Sequence, residues 1–513
     1  MHVKMTTIWC LHMFPHNAHS HVQQNISMNG NFTAALLHVI ILPYPARGHS
    51  IPLLHFAKHL HSLGVTVTYD QSNRNRSKSS GRSIRVVQLG VPPVQTKAVK
   101  NLPYVREVDT LVEATEEMME KLFAENQAAP PACLVSDMIL GWTQPVANKF
   151  NIPRWVLFAS PCRNLATFLH IPELVIQGHL PLIDPSKDNF LVHDIPGVPP
   201  TRIIDLPSPI MDHTHYEYDF YLRNSAQMHE ATGVLINTFY ELEPHSIDVL
   251  RKTDHLLYIL PVGPMLPPIY FMSSTAAAVS NGGATQNKNN DHPCLQWMEK
   301  QPPASVVFVS FGSVAALSIP QLHDLAMGLQ ESGQRFLLVV RRPAAAAASS
   351  GETMTEEDKD QLTRRVLEPL LPPEFTAHTE GRGFVQQDWA PQLSVLCHPA
   401  IGGFLTHCGW NSTLESICRG VPMLAWPIQA EQHMNCRFLV DDVKAAIEVQ
   451  QSSDRRVTKA EVARAVKSLM TEDTGRVIRE NVEKLRDLAL KAVAKGGSSD
   501  KKVEEWICRH CNK

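Results

Sequence analysis

The sequence predicts an α/β protein built from two doubly wound, Rossmann-like domains that face each other across a cleft. Three observations carry that prediction. At 513 residues the chain exceeds what one ordinary core holds. From Leu37 onward, apolar runs of strand length alternate with amphipathic helical stretches, the pattern of a parallel sheet covered by helices. The alternation breaks between Met265 and His292, where MLPPIYFMSSTAAAVSNGGATQNKNNDH has the Pro, Ser, Asn, Gly and Ala content of a linker, and then it restarts.

The first 27 residues are polar and rich in histidine, without the apolar core of a signal peptide, so residues 1–34 are expected to be a disordered extension with Met28 as an alternative start. The first domain is expected over residues 35–264, with LHVIILPYPA, VTVTYD, IRVVQLG, ACLVSDM and RWVLFAS as its strands. Helical patterns lie between them, such as IPLLHFAKHLHSLG, which stops at Gly64 as helix C-termini do. After the linker, residues 265–292, the second domain is expected over 293–490, with VVFVSFGS, RFLLVV, GFVQQDW, GGFLTHC, VPMLAWP and AAIEV as strands. A polar loop, AAAAASSGETMTEEDKD, interrupts it near residue 350. Beyond Thr458 the chain reads as helix, and residues 491–513 are expected to form a C-terminal helix that packs back on the first domain.

Composition narrows the partners. A formal charge of −3, from 47 basic and 50 acidic residues, provides no global field for nucleic acid or anionic membrane, so a phosphate-bearing ligand must be caught locally. The most apolar stretch, Ala34 to Ala46, is broken by His38, Pro43 and Pro45 and is too short to span a bilayer. Ten cysteines without paired spacings, save Cys508 and Cys511, suggest reduced thiols and a cytoplasmic protein. The terminal CRHC offers three ligands at most, counting His510, where structural zinc takes four.

The chemistry concentrates in THCGWNSTLE, Thr406 to Glu415. GGFLTHC reads as a buried strand, Gly409-Trp410 as a turn, and NSTLESICRG as a helix capped by Asn411 or Ser412, with Glu415 at capping-box spacing from Ser412. The unpaired N–H groups of such a helix start, with its dipole, suit a diphosphate. His407 and Ser412 can add donors, and Glu415 can accept from a ribose diol. An ordinary capped helix remains the alternative on this stretch alone. Upstream, Trp389 in DWAPQLSVLCHP offers a flat face for a base, Ala390 backbone groups for a base edge, and Gln392 a donor and an acceptor. Downstream, Glu431 and Gln432 in WPIQAEQHMN suit vicinal hydroxyls.

The ungapped segment from Trp389 to Gln432 resembles the full signature box of plant UDP-dependent glycosyltransferases acting on small molecules. Further segments, CLQWMEKQPPASVVFVSFGS, GLQESGQRFLLVVR, GVLINTFYELEP and YILPVGP, are similar to the same family. The resemblance implies the GT-B arrangement of two such domains. It implies that Trp389 stacks on uracil, Ala390 binds its edge, Glu415 takes the ribose hydroxyls, and His407, Asn411 and Ser412 hold the diphosphate at the Gly409 turn. It further implies that Trp410, Glu431 and Gln432 face the sugar and that Ser313, in SFGS, reaches the sugar-phosphate. A closing Gln, as at Gln432, generally goes with glucose.

In the first half, His49 lies where the opening strand hands over to a helix, and the positive helix end is expected to lower its pKa and keep it neutral. Asp137 sits at the end of a predicted strand; as a residue type it also suits the N-cap of the following helix. The family resemblance implies a His base at His49 oriented by Asp137. The implied reaction is inverting transfer of glucose from UDP-glucose to a hydroxyl of a small hydrophobic acceptor, a flavonoid or other phenolic, a terpenoid or a hormone. It needs no metal or cofactor, and a monomer is expected. Asp358-Lys359-Asp360 reads as a solvated acidic loop rather than a magnesium site. Ala159 replaces a sugar-touching threonine of many relatives, and Leu338 a frequent tryptophan; neither Ala159 nor Ser160 is counted among the site residues. The rival readings are a catalytically silent nucleotide-sugar-binding protein and an NAD-linked oxidoreductase. The second lacks its glycine-rich turn, because PARGHS stands there.

Overall fold

A computed structural model describes residues 37–70, 85–87, 108–126, 130–182, 188–253, 258–271, 292–312, 317–341, 370–452 and 454–511. The expected N-terminal extension, most of the expected linker, Ser313 and Asp358-Lys359-Asp360 lie outside the described residues. Residues from Ala34 to Lys513 form one compact unit.

The first sheet collects β1 (His38–Leu42), β2 (Thr66–Asp70), β3 (Arg85–Val87), β4 (Pro131–Asp137) and β5 (Arg154–Phe158). After a two-stranded antiparallel ribbon of β6 (Leu191–Val192) and β7 (Thr201–Arg202), it is extended by β8 (Gly233–Ile236) and β9 (Ile259–Pro261). Its order is β3-β2-β1-β4-β5-β8-β9, every neighbour pair parallel. The second sheet contains β10 (Val306–Ser310), β11 (Arg335–Val340), β12 (Gly383–Gln387), β13 (Ile401–Thr406), β14 (Met423–Ala425) and β15 (Ala446–Glu448). Its order is β12-β11-β10-β13-β14-β15, again all parallel. Two Rossmann-like sheets are therefore present, as the apolar runs predict. The strands β8 and β9 were not among the sequence candidates.

The central strands HVIIL and VVFVS are buried along their whole length, as parallel strands covered on both faces must be. Phe308 and Phe404, on adjacent strands of the second sheet, stack at 4.9 Å. In each sheet the chain moves outward on one side of its first strand and then returns to the other side. The order therefore reverses between β1 and β4, and between β10 and β13. Loops leaving the carboxyl ends of strands diverge at such points and open a crevice there. The residues at these four strand ends are the His49 loop, Asp137, the Ser310–Gly312 turn and the His407–Gly409 turn.

The helix Ser498–Cys511 packs on the first sheet, where Val503, Trp506 and Ile507 share a core with Val39 and Ile41. Trp506 meets Trp155 edge-on at 6.0 Å, and the Trp155 indole N–H donates to His510 Nε2 at 3.0 Å. His510 Nδ1 is bonded to the Trp506 carbonyl, so both ring nitrogens of the CRHC histidine have protein partners.

Candidate active site

One side of the cavity is built by β1 and β4. The chain leaves β1 through Pro43 to Ala46 and enters the helix Arg47–Ser62, so His49 occupies its first turn. Asp137 is the last residue of β4, next to β1 in the sheet. His49 Nδ1 lies 2.9 Å from Asp137 Oδ2 and 3.1 Å from Oδ1, while the Ile139 N–H donates to Oδ1 at 3.1 Å. The carboxylate can only accept, so Nδ1 carries the proton and Nε2 keeps its lone pair. Asp137 is fully buried and does not cap the next helix, Thr143–Lys149, whose N-cap is Trp142.

The expected lowering of the His49 pKa is overturned. Burial acts in the lowering direction, but the Asp137 charge, its hydrogen bond and the Glu431 charge across the cleft outweigh it and raise the pKa above 6.5. A full carboxylate in contact exceeds the partial charge of a helix end.

Pro52 shapes the same turn. It has no N–H to donate to the carbonyl four residues back, so the Gly48 carbonyl lacks its helical donor. Asn411 Nδ2 takes that place from the opposite domain at 2.9 Å. The Asn411 amide, expected on a diphosphate, thus holds the peptide that precedes His49.

The opposite side is the helix Trp410–Arg419, which ends on left-handed Gly420. Its N-cap is Gly409, with no side-chain cap, so the expected capping box does not form. Ser412 and Glu415 instead both accept from Gln392 Nε2, at 2.9 and 2.7 Å. The first intrahelical bond runs from Thr413 N to Gly409 O, which leaves the N–H groups of Trp410, Asn411 and Ser412 without helical acceptors. His407 lies against Gly312 and Gly409, where a Cβ would come within 2.6 and 2.4 Å of its ring. Gly312 is also left-handed, with φ of 72°, so glycine is required there twice over. Burial pushes the His407 pKa down to about 4, so its ring is a neutral hydrogen-bonding group at pH 7.

Trp389 is 54% exposed, uncommon for an indole, with His292 against its edge at 5.9 Å. Ala390 is buried beside it, and the Ala390 carbonyl accepts from Gln392 N at 2.8 Å. Burial raises the pKa of Glu415, opposed by the bond from Gln392. Burial likewise raises that of Glu431, opposed by its backbone, His49 and Asn435. The Gln432 side-chain carbonyl accepts from Ile428 N and Gln429 N, both at 3.0 Å, which fixes which end of the amide can serve a ligand.

Trp410 reaches across to the first sheet. Its side chain is buried at 3% exposure, tilted against Phe438 at 6.1 Å, and its indole N–H donates to the Asn237 carbonyl beyond β8 at 2.7 Å. The indole is a strut between the two sheet domains, and Trp410 also lines the cavity between them.

One cavity of about 420 Å³ is lined by His49, Trp389, Ala390, Gln392, His407, Gly409, Trp410, Asn411, Ser412, Glu415, Glu431 and Gln432. Asp137 stands behind His49, outside the lining. The first domain adds an apolar wall that includes Met138, Phe158, Phe168, Ile171 and Ile210. Sequence reasoning missed Gly312, Asn164, Asn237 and Asn435, whose roles depend on partners far away in the chain; only the Gly in SFGS left a local trace. Among the described residues no group of three His, Cys, Asp or Glu is placed to hold a metal ion.

The geometry has counterparts. The family model for UDP-glucoronosyl and UDP-glucosyl transferase matches residues 49–491. UDP-glycosyltransferase 72B1 of Arabidopsis thaliana is 35% identical over 477 residues, spanning 90% of this chain and 94% of that protein. Hydroquinone glucosyltransferase of Rauvolfia serpentina is 32% identical over 502 residues, spanning 93% and 98%. Among solved structures, Phytolacca americana UGT2 complexed with UDP-2fluoro-glucose and pterostilbene aligns with a TM-score of 0.75 at 30% identity, covering 92% of this chain and 99% of that one. A UDP-glucosyltransferase from Polygonum tinctorium capable of glucosylating indoxyl, in complex with 3,4-dichloroaniline, aligns with a TM-score of 0.77 at 32% identity, covering 93% and 99%.

The strut predicts the behaviour of Trp410→Phe. Losing the N–H leaves the Asn237 carbonyl without that donor in a buried place, at a cost of about 1–3 kcal/mol. Thermal unfolding should shift down accordingly, while affinity for UDP changes little; an unshifted melting curve with lost UDP binding contradicts the strut.

Proposed function

Because the chain belongs to the UDP-glucoronosyl and UDP-glucosyl transferase family and is a UDP-glycosyltransferase, we propose that it transfers glucose from UDP-glucose, with inversion, to a hydroxyl of a small apolar acceptor. The observation that carries the reading is the pairing of a carboxylate-oriented histidine at one switch point with an uncapped helix N-terminus at the other, across one cavity.

In this reading residues 35–264 bind the acceptor and residues 293–490 bind UDP-glucose, with 265–292 joining them. Trp389 stacks on uracil, the Ala390 backbone meets its edge, and Glu415, held by Gln392, accepts from the ribose hydroxyls. The diphosphate lies at the N–H groups of Trp410, Asn411 and Ser412 with His407 as a neutral donor, and Glu431 and Gln432 serve the sugar. Ser313 keeps its proposed place at the sugar-phosphate.

His49 Nε2 takes the acceptor's hydroxyl proton while that oxygen forms a bond to the anomeric carbon. The bond from that carbon to the diphosphate oxygen breaks on the opposite face, and UDP leaves with the electron pair. The resulting imidazolium is stabilised by Asp137, and the departing charge by the helix start. These steps call on no metal and no cofactor beyond the donor substrate.

The apolar wall of Phe158, Phe168, Ile171 and Ile210 favours a flat or hydrophobic acceptor, in keeping with a relative named for hydroquinone. We take phenolic acceptors as the first class to test. The same reading places the protein in the cytoplasm as a monomer. The eight cysteines from Cys133 to Cys508 are free, which supports a reducing compartment, and among the described residues no helix is long and apolar enough to cross a membrane.

Replacing His49 by Ala should leave calorimetric UDP-glucose binding nearly intact and lower transfer to a phenol by about 10²–10⁴-fold. Near-normal turnover contradicts the assignment. The pH profile follows from the raised His49 pKa: the base works when neutral, so kcat/KM should climb with pH through an inflection above 6.5 and then level off. Asp137→Asn removes the largest raising influence, so its inflection should move to lower pH with a lower plateau. An inflection that stays in place shows that another group is titrating.

A further inference from the structure

Resting on the transfer reading above, we infer that the Tyr221 hydroxyl selects the acceptor: it hydrogen-bonds a second, uncharged oxygen of a phenolic acceptor, a carbonyl, ether or hydroxyl oxygen other than the one that attacks.

Tyr221 lines the cavity from the helix Tyr216–Met228, which packs on the turn Ser208–Ile210 and on the helices Cys162–Leu169 and Ile171–Ile176. Those three elements carry Ile210, Phe168 and Ile171 of the apolar wall. The Tyr221 ring stands edge-on to Phe168 at 6.0 Å, and Phe168 stands edge-on to Phe158 at 6.0 Å. The ring is thus packed, but its hydroxyl makes no hydrogen bond to any described residue. A half-buried tyrosine oxygen ordinarily finds a partner, and here the partner has to come from the cavity.

The neighbouring polar side chains of this wall are already engaged. Asn164 Nδ2 donates to Ser160 Oγ at 3.0 Å and to Asn435 Oδ1 at 2.9 Å, and Thr167 Oγ1 donates to the Arg163 carbonyl at 3.1 Å. Arg47 also lines the cavity but is exposed. Neighbouring charges locate the Tyr221 hydroxyl. Burial first, and then Glu431, Glu217, Tyr44 and Asp137, push its pKa above the ordinary tyrosine value. Glu431 belongs to the opposite wall, and Tyr44 stands edge-on to His49 at 5.4 Å. The hydroxyl therefore faces the space beside His49, stays protonated at neutral pH and can donate. The same acidic surroundings repel an anionic substituent, so the oxygen it meets is uncharged.

The helix that carries Tyr221 is fixed relative to His49. Asn224 Oδ1 accepts from Gly141 N at 2.7 Å, in the loop that follows Asp137, and Ser225 Oγ donates to the Phe168 carbonyl at 2.6 Å. Asn224 and Ser225 lie three and four positions after Tyr221, on the same helix face. A Cβ at Gly141 would fall 2.2 Å from Gln227 Oε1, so loop and helix approach closely. Two points on the acceptor are thereby defined, the attacking hydroxyl at His49 Nε2 and a second oxygen at Tyr221. Together they set which hydroxyl of a polyphenol receives the sugar.

The test pairs methoxy-substituted phenols and 2-naphthols with their ethyl counterparts, which have nearly the same shape without the oxygen, at each open ring position. Each pair is run with UDP-glucose on wild type and Tyr221→Phe. At one position wild type should favour the methoxy over the ethyl form, and Tyr221→Phe should lower kcat/KM for that methoxy acceptor by about tenfold and for its ethyl partner far less. KM for UDP-glucose should hold its wild-type value. A methoxy-to-ethyl ratio that Tyr221→Phe leaves unchanged at every position overturns the inference. So does an equal loss for every acceptor, which shows a packing role, or a raised KM for UDP-glucose with acceptor preference intact, which shows a sugar contact. In those cases wild type still transfers glucose and the transfer reading stands, whereas wild type inert towards UDP-glucose with every acceptor removes that reading and the inference with it.

Discussion

The structure depends on one topological constraint: in each parallel sheet the chain must reverse direction beside its first strand. Right-handed crossovers place helices on both faces, and the reversal leaves the carboxyl ends of two adjacent strands without a loop crossing between them. In the first sheet those ends carry His49 and Asp137, in the second the Gly312 and His407 turns. In the proposed reading a base and an anion site therefore come from separate sheets, and bringing the two crevices together makes a site neither sheet has alone.

Polar contacts help join the crevices. The Asn411 amide meets the Gly48 carbonyl that Pro52 releases, the Trp410 N–H meets Asn237, Asn164 meets Asn435, and Ser208 bonds Ala430 through both its hydroxyl and its N–H. The Trp410–Asn237 and Asn164–Asn435 bonds are buried, and buried polar pairs contribute modest net stability when made and are costly when broken, so these two help define one relative placement. Several fasteners start from the short turn around Cys408, a non-glycine residue at φ of 65°, a conformation that costs roughly 1–3 kcal/mol. That strain is offset by what the turn positions: the His407 ring, the helix start and the Cys408 carbonyl that Asn435 holds.

Much of this was legible in the sequence because strand ends and helix starts are local. The apolar runs located the strands that carry His49, Asp137 and His407, and the segment from Trp389 to Gln432 kept donor-side residues together in the chain. What was not legible involves partners hundreds of residues apart. Asn237 and Asn164 look like unremarkable polar residues until Trp410 and Asn435 arrive from the other sheet. The capping box was a sound local expectation, but Gln392 competes for both Ser412 and Glu415. The pKa of His49 was misjudged because a helix dipole is visible locally whereas the charges of Asp137 and Glu431 arrive through the fold.

The central claim is that base and leaving group act from opposite faces of the anomeric carbon, each held by its own sheet. The most direct measurement is the anomeric configuration of the product formed from UDP-glucose and a simple phenol, read from the proton coupling at the anomeric carbon by NMR. UDP-glucose is the α-anomer, so a single displacement between His49 and the helix at Trp410 gives a β-glucoside. An α-glucoside would contradict the account, since attack from the face opposite the departing diphosphate must invert the anomeric carbon.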